Sequence, residues 1–377
     1  MNISIYIHTP FCVKKCGYCD FYSVPNEESL ADDFISALEK EWSLVRKEMN
    51  LENPVIQTLF FGGGTPSILS IKQWETINRL LIKKLTLADD VEWTIECNPE
   101  SFSAEKAELW QSMGVTRLTF GVQSLNDKEL RILGRPHSAE QALLAINSPA
   151  LRHFNSVGLD LMYGLPDQTL GSFEKMLNAA LSAPIVRHLS AYELTICKNT
   201  PFGKARNLSL PHEETVCDMA RMLFRKCREK GFERYEISNF AKPGHRCRHN
   251  EAYWDHSPYV GLGPGAHSYV HPNRWANEGD VKRYISMVND NHRPVDFSET
   301  IDKDKLVSEM ILLRLRTPGG LNEDVFRMKT GEDFYSGKRN KVLDELQQVK
   351  LIIHEKPRWM LTEDGMLLTD TIVKKLA

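Results

Sequence analysis

Three of the chain's eight cysteines, Cys12, Cys16 and Cys19, fall within eight positions of one another in the stretch HTPFCVKKCGYCDFYS, residues 8–23 of 377. Structural zinc takes four tetrahedral ligands, and its cysteines usually arrive as two separated pairs. C-x3-C-x2-C is neither pair, although His8 could complete such a set. Three unrelated packed thiols suit poorly a segment that also carries Lys14, Lys15 and Gly17. The remaining chemistry is a 4Fe-4S cluster gripped by three thiolates, with the fourth iron left open. Cys97, Cys197, Cys217 and Cys227 have no metal spacing and read as small apolar residues.

Further along, FFGGGTPS (residues 60–67) is neither G-x-G-x-x-G nor a Walker loop, so its spacing alone makes it a tight turn. Three successive glycines do let a ligand approach bare backbone. Polar residues then close later apolar runs: Glu96 in TIECNPE, Gln123 in FGVQS, Arg135 in LGRPH and Asp160 in GLDLMYGLP. One carboxylate ending a strand is ordinarily a cap or a surface group. Four such residues gathered on one barrel mouth would instead form a site.

The elements that must position these residues alternate. Residues 3–8, 58–63, 92–97, 117–122, 157–162 and 188–194 read as buried strands, rich in β-branched and aromatic side chains. Between them run helical patterns, often behind a Ser, Asn or Asp cap. Repeated βα units imply parallel strands with right-handed crossovers, hence a doubly wound sheet or an incomplete TIM-like barrel. After residue 237 the alternation stops. Residues 238–269 read as a loop dense in His, Gly, Pro and aromatics, so the expected division is a first domain over 1–237 and a second over 238–377. The tail reads as helix, strand, strand, helix, a winged-helix-like module with no concentrated basic face and therefore a packing role.

Composition narrows the class. With 42% hydrophobic and 26% charged residues, and no apolar run near the roughly 18 residues of a membrane helix, the chain reads as globular. The first residues, MNISIYIHTPFC, carry no targeting pattern, so a cytoplasmic location with reduced thiols is expected. A formal charge of −3 argues against a nucleic-acid partner.

C-x3-C-x2-C behind a first strand, with Tyr18 before the last cysteine, resembles the radical S-adenosylmethionine (SAM) superfamily. The resemblance implies a partial TIM-type (β/α)6 barrel followed by a smaller α+β C-terminal domain. It also implies a 4Fe-4S cluster on Cys12, Cys16 and Cys19, and SAM as cofactor. Gly63, Gly64, Thr65, Glu96, Gln123, Arg135, Asp160 and Tyr6 match SAM-binding positions of the coproporphyrinogen-oxidase-like branch. With GLGPGAHSY and the tail, the likeness extends over almost the whole chain. The oxidases of that branch carry a further cysteine two positions after the third, and a longer N-terminal extension; here Phe21 stands at that position and five residues precede Tyr6. The heme-chaperone members instead carry HNxxYW, present here as HNEAYW from His249 to Trp254. That implies heme as carried ligand, with His249 as axial ligand and Arg246 and Arg248 toward its propionates. Cys247 and His267 compete for the ligand role. The expected function is transfer of heme to heme-dependent enzymes such as respiratory-chain components, without coproporphyrinogen oxidase activity, the alternative being a radical SAM oxidase. A homodimer and at most peripheral membrane contact are further implications of the resemblance.

Overall fold

In a computed structural model describing residues 1–377, the six expected strands form as β1 (Asn2–Thr9), β2 (Val55–Gly63), β3 (Thr86–Cys97), β4 (Arg117–Gln123), β5 (Ser156–Tyr163) and β6 (Val186–Glu193). They lie side by side in that order, every pair parallel. The period-2 pattern decides which face goes where. Ile3, Ile5 and Ile7, then Leu59 and Phe61, Trp93 and Ile95, Leu118 and Phe120, and Leu159 and Leu161 enter one apolar core with the helices. Trp74 and Trp110 from the helices Ile71–Leu80 and Ala104–Met113 close over Phe61, with ring centroids 5.0 Å from Phe61 to Trp74 and 5.7 Å between the tryptophans. The alternate residues, including Ser4, Thr58, Thr94, Thr119 and Ser190, are buried on the opposite, inner face. A polar inner face is what lets functional groups stand at the barrel mouth.

The crossover helices start where the sequence places caps. Side chains of Ser70, Ser103, Asn126, Ser138 and Thr169 each accept a hydrogen bond from a first-turn backbone N–H.

Residues 238–269 are not the expected loop. They hold strands β8 (Asn239–Ala241), β9 (Tyr259–Leu262) and β10 (His267–Val270), plus the helix Arg248–Trp254. β9 pairs parallel with β1 on the side away from β2, making a seventh parallel strand. β10, β11 (Asn273–Asn277) and β12 (Val295–Thr300) continue antiparallel beyond it, while β8 and then β7 (Glu233–Arg234) extend the sheet past β6. These strands have two to six residues, too few to show a period, and their pairing is set by partners far away in the chain.

Twelve strands thus share one open sheet, and the expected junction at 237/238 lies inside it. The apolar cores part further on: the larger ends at Val288 and the smaller begins at Val307. Around the smaller core, helices Lys338–Gln348 and Thr369–Leu376 flank the hairpin Ile352–Glu355 and Arg358–Leu361, and Leu321–Asn322 adds a third short strand. The architecture is a partial TIM-type barrel followed by a smaller α+β part. No helix is long and apolar enough to cross a membrane.

Candidate functional site

The C-terminal ends of β1 to β6 open on a cavity of about 530 Å³. Cys12, Cys16 and Cys19 stand on its wall, in the loop that leaves β1. That loop is fixed at several points. Phe11–Cys12 pairs with Val24–Pro25, the Gly17 N–H donates to the Leu133 carbonyl at 3.0 Å, and the Phe202 N–H donates to the Gly17 carbonyl at 2.9 Å. A Cβ on Gly17 would lie 2.5 Å from the Phe202 ring, so the motif's glycine is a packing requirement.

A polar arc connects two of the thiols across four connections of the barrel. Cys12 Sγ lies 3.5 Å from Thr65 Oγ1, which accepts from Asn98 Nδ2 at 3.1 Å. Asn98 Oδ1 accepts from Arg135 Nη2 at 2.7 Å, and Arg135 Nη1 reaches Cys16 Sγ at 3.5 Å. Arg135 also donates to the Gly121 carbonyl at 2.6 Å, so its guanidinium is aimed rather than free. The glycines after β2 are needed for close approach. A Cβ on Gly64 would meet the backbone oxygens of Phe11 at 2.6 Å and Thr9 at 2.8 Å, while Gly63 has φ of 101° and faces the His8 ring. Gln123 has φ of 64°, rare for a residue with a side chain, at a bulge that ends β4 on the cavity.

The opposite wall is acidic. Glu96 accepts from the Gly63 N–H at 3.2 Å, and burial followed by the charge of Asp160 pushes its carboxyl up to about 8. Burial raises Asp160 to about 6 against the pull of hydroxyl bonds from Ser190 and Thr119, the latter at 3.1 Å. Two carboxyls reluctant to ionise face a guanidinium across one cavity. Such a wall favours a ligand that brings a cation to the carboxylates and a carboxylate to the arginine.

Tyr6 and His249 lie elsewhere. They line a second cavity of about 640 Å³ that shares Asp20, Phe21 and Glu96 with the first. His249 is only 1% exposed, stacked on Phe60 with ring centroids 5.0 Å apart. Its Nδ1 is hydrogen-bonded to the Thr58 hydroxyl at 2.7 Å and its Nε2 to the Tyr253 hydroxyl at 2.9 Å. Burial holds its pKa down at about 3, so the ring is neutral. The helix that carries it is anchored by Glu92 of β3, whose carboxylate accepts the Arg248 N–H at 3.1 Å and the His249 N–H at 3.0 Å. Cys247 is 2% exposed and donates to the same carboxylate at 3.4 Å.

The profile of the Radical SAM superfamily matches residues 6–180. The heme chaperone HemW of Bacillus subtilis is 34% identical over 374 residues, 98% of this chain and 97% of that protein. HemW of Escherichia coli is 33% identical over 392 residues, 99% of this chain and 97% of that one. The chain belongs to the HemW family of radical SAM proteins. Its fold is that of the coproporphyrinogen III oxidase HemN from Escherichia coli, a radical SAM enzyme, with a TM-score of 0.86 at 22% identity over 99% of this chain and 89% of that one.

In this HemW-family chain the structure gathers Cys12, Cys16, Cys19, Gly63, Gly64, Thr65, Glu96, Gln123, Arg135 and Asp160 on one cavity, as sequence reasoning expects of a barrel mouth. Tyr6 is set apart, its hydroxyl 3.2 Å from His8 Nδ1 in the second cavity. Both ring nitrogens of His249, the expected axial ligand, are hydrogen-bonded within the protein. Arg246 and Arg248 line neither cavity and are paired with Glu233 and Asp90. Sequence reasoning missed Asn98, the centre of the polar arc. Its place two positions after Glu96 at the end of β3 is the signal that could have found it.

Proposed function

We propose that this chain is a heme chaperone that holds a 4Fe-4S cluster on Cys12, Cys16 and Cys19, binds SAM in the adjoining cavity and passes heme to heme-dependent enzymes. The observation that carries the reading is likeness to HemW chaperones over 98–99% of the chain, joined to three thiols on one cavity wall. The residues present fit the cofactors. The three thiols are in no disulfide, they line one cavity wall, and the Thr65 hydroxyl and the Arg135 guanidinium stand beside two of them, a polar setting suited to thiolate ligands.

When bound, cluster and SAM supply a one-electron source at this mouth. The chain's own groups then have distinct tasks. Arg135, aimed by Asn98 and the Gly121 carbonyl, is the partner for the carboxylate of the methionine moiety. Glu96 and Asp160 take its ammonium or the ribose hydroxyls. Gly63, Gly64 and Thr65 admit the ligand to the backbone, and Gln123 closes the far side.

The experiment is hemin titration of anaerobically reconstituted protein with and without SAM, followed by incubation with an apo heme enzyme. A Soret shift and activation of the acceptor are expected. Carbon dioxide release from coproporphyrinogen III under the same conditions would overturn the chaperone reading in favour of an oxidase.

A further inference from the structure

The rim of the first cavity is basic, in a chain whose formal charge is −3. Two segments meet there: residues 11–23, which carry the cysteine motif, and residues 194–212, which follow β6. Together they hold Lys14, Lys15, Lys198, Lys204 and Arg206 against one carboxylate, Asp20, a net charge of +4. Glu193, at the end of β6, adds one carboxylate to the same wall. All five cations are exposed. None is ion-paired. Asp167, whose N–H donates to the Ser209 carbonyl of the second segment, already serves Lys128 at 3.1 Å, and Lys15 Nζ donates to the Phe21 carbonyl at 3.0 Å.

Scattered surface lysines ordinarily do no more than solvate a protein, but these are fixed around one opening. Lys14 and Lys15 line the cavity, and Lys198 follows Cys197, which lines it too. Lys204 ends the short helix Pro201–Lys204, whose Phe202 N–H donates to the Gly17 carbonyl of the motif at 2.9 Å. The two segments are fastened again where Cys197 Sγ donates to Asp20 at 3.4 Å, and Thr200 Oγ1 closes the turn on the Cys197 carbonyl at 2.7 Å. A Cβ on Gly203 would lie 2.1 Å from that carbonyl oxygen, so the turn depends on a bare glycine. Within the ring of charge stand Val13 and Phe21, 58% and 60% exposed. An apolar centre inside a charged rim is the anatomy of a protein docking patch. Cys12 and Cys19 are only half-buried on this wall, which brings the proposed cluster site close to the rim.

Resting on the cluster-binding part of the proposed function, we propose that this rim is the docking surface for an acidic electron-donor protein. One electron leaves the donor's reduced cofactor and enters the oxidised cluster on Cys12, Cys16 and Cys19; no proton or atom is transferred. Charge decides the class of partner, because redox encounters bury little area and owe their rate to electrostatic complementarity. An anionic lipid surface would meet the same charge. Pressed on this rim, however, it would seal the cavity that SAM must enter, whereas a protein donor docks and departs.

The test is stopped-flow reduction of the full, anaerobically reconstituted chain by an acidic flavodoxin in its hydroquinone form, followed as loss of cluster absorbance. Wild type is compared with the triple variant K198E, K204E and R206E, whose positions lie outside the cysteine motif, and with the milder K198Q, K204Q and R206Q. Iron and sulfide content, and the rate of reduction by the neutral 5-deazaflavin radical, should match wild type in both variants. Reduction by flavodoxin should slow by about tenfold or more in the glutamate variant at low salt, less in the glutamine variant, and the wild-type rate should fall as salt rises. Surface plasmon resonance with immobilised flavodoxin should show binding weakened in the same order, a readout independent of turnover. Equal flavodoxin rates in all three proteins, or a wild-type rate indifferent to salt, overturns the proposal and leaves the cluster reading standing. Equal rates joined to lost binding of phosphatidylglycerol vesicles in the variants overturns it in favour of a membrane. A wild-type chain that takes up no iron and sulfide overturns both the proposal and the reading beneath it.

Discussion

Removal of the Glu92 carboxylate tests whether the helix bearing the HNEAYW residues is a structural plug of the barrel. Glu92 and Arg117 are 8% and 7% exposed at their side chains, and their closest charged atoms are 3.6 Å apart. The carboxylate also receives two backbone N–H groups and the Cys247 thiol, while Arg117 donates to the His245 carbonyl at 2.9 Å. Glu92→Ala leaves Arg117 as a buried charge without its counter-charge, which costs about 3–5 kcal/mol. The two helix N–H groups left without an acceptor fall within the same change, on the scale of about 1–2 kcal/mol for a lost cap. Against a total stability of about 5–15 kcal/mol this is a large fraction. In equilibrium urea unfolding of the apo chain under reducing conditions, the midpoint should fall by about 1–2 M for a slope near 2–3 kcal/mol/M. Removing the stranded charge as well, in Glu92→Ala with Arg117→Met, should recover all but about 1–2 kcal/mol, so the double-mutant cycle shows strong coupling. A loss below about 1 kcal/mol in the single variant, or a double variant no more stable than the single, refutes the anchoring argument.

Three further outcomes follow from buried groups and close approaches. Glu41 is wholly buried, accepting from the Gly263 N–H, Asn277 and the Tyr284 hydroxyl, and burial raises its carboxyl from 4.5 to about 7. A raised carboxyl pKa gives stability that is fully present below pH 4.5 and lost as pH rises through 7, about 3 kcal/mol in all; urea midpoints at pH 5 and pH 8 should therefore converge in Glu41→Gln, and an unchanged pH slope refutes the assignment. Because Glu96 is raised to about 8, binding of a cationic ligand beside it should release close to one proton near pH 7. Calorimetric titration with SAM in two buffers of different ionisation heat measures that proton, and Glu96→Gln should abolish it. Gly64→Ala pushes a methyl group into the Thr9 and Phe11 carbonyls, displacing the loop that carries Cys12, so reconstituted iron and sulfide content should drop relative to wild type.

How much of this was legible in the sequence depends on the range over which each feature is determined. The six barrel strands and their capped helices are local: Ile3, Ile5 and Ile7 alternate with Ser4 and Tyr6, and Ser70 or Ser138 precedes a helical period, so the chain announces them within a few residues. The site follows from them, because Glu96, Gln123 and Asp160 each sit near the end of a strand whose neighbours all run the same way. The strand Tyr259–Leu262 is not local in this sense. Four residues carry no readable period, and what makes them a strand is a row of backbone partners on β1 more than 250 positions earlier.

His249 and His267 make the same point at the level of single side chains. Both are histidines beside aromatics, so their types alone predict equal fitness to bind a metal. What separates them is that His249 meets Thr58, 191 positions away, and enters a helix capped by Glu92, 157 positions away, whereas His267 is exposed at the rim of the second cavity and its ring meets no hydrogen-bonding group of the protein. Local sequence thus states which groups can do chemistry. Which of them remains free to do it is decided by contacts that exist only after the sheet has assembled from strands far apart in the chain. The HNEAYW stretch shows this, since its histidine is recognisable in the sequence but its two ring partners are not.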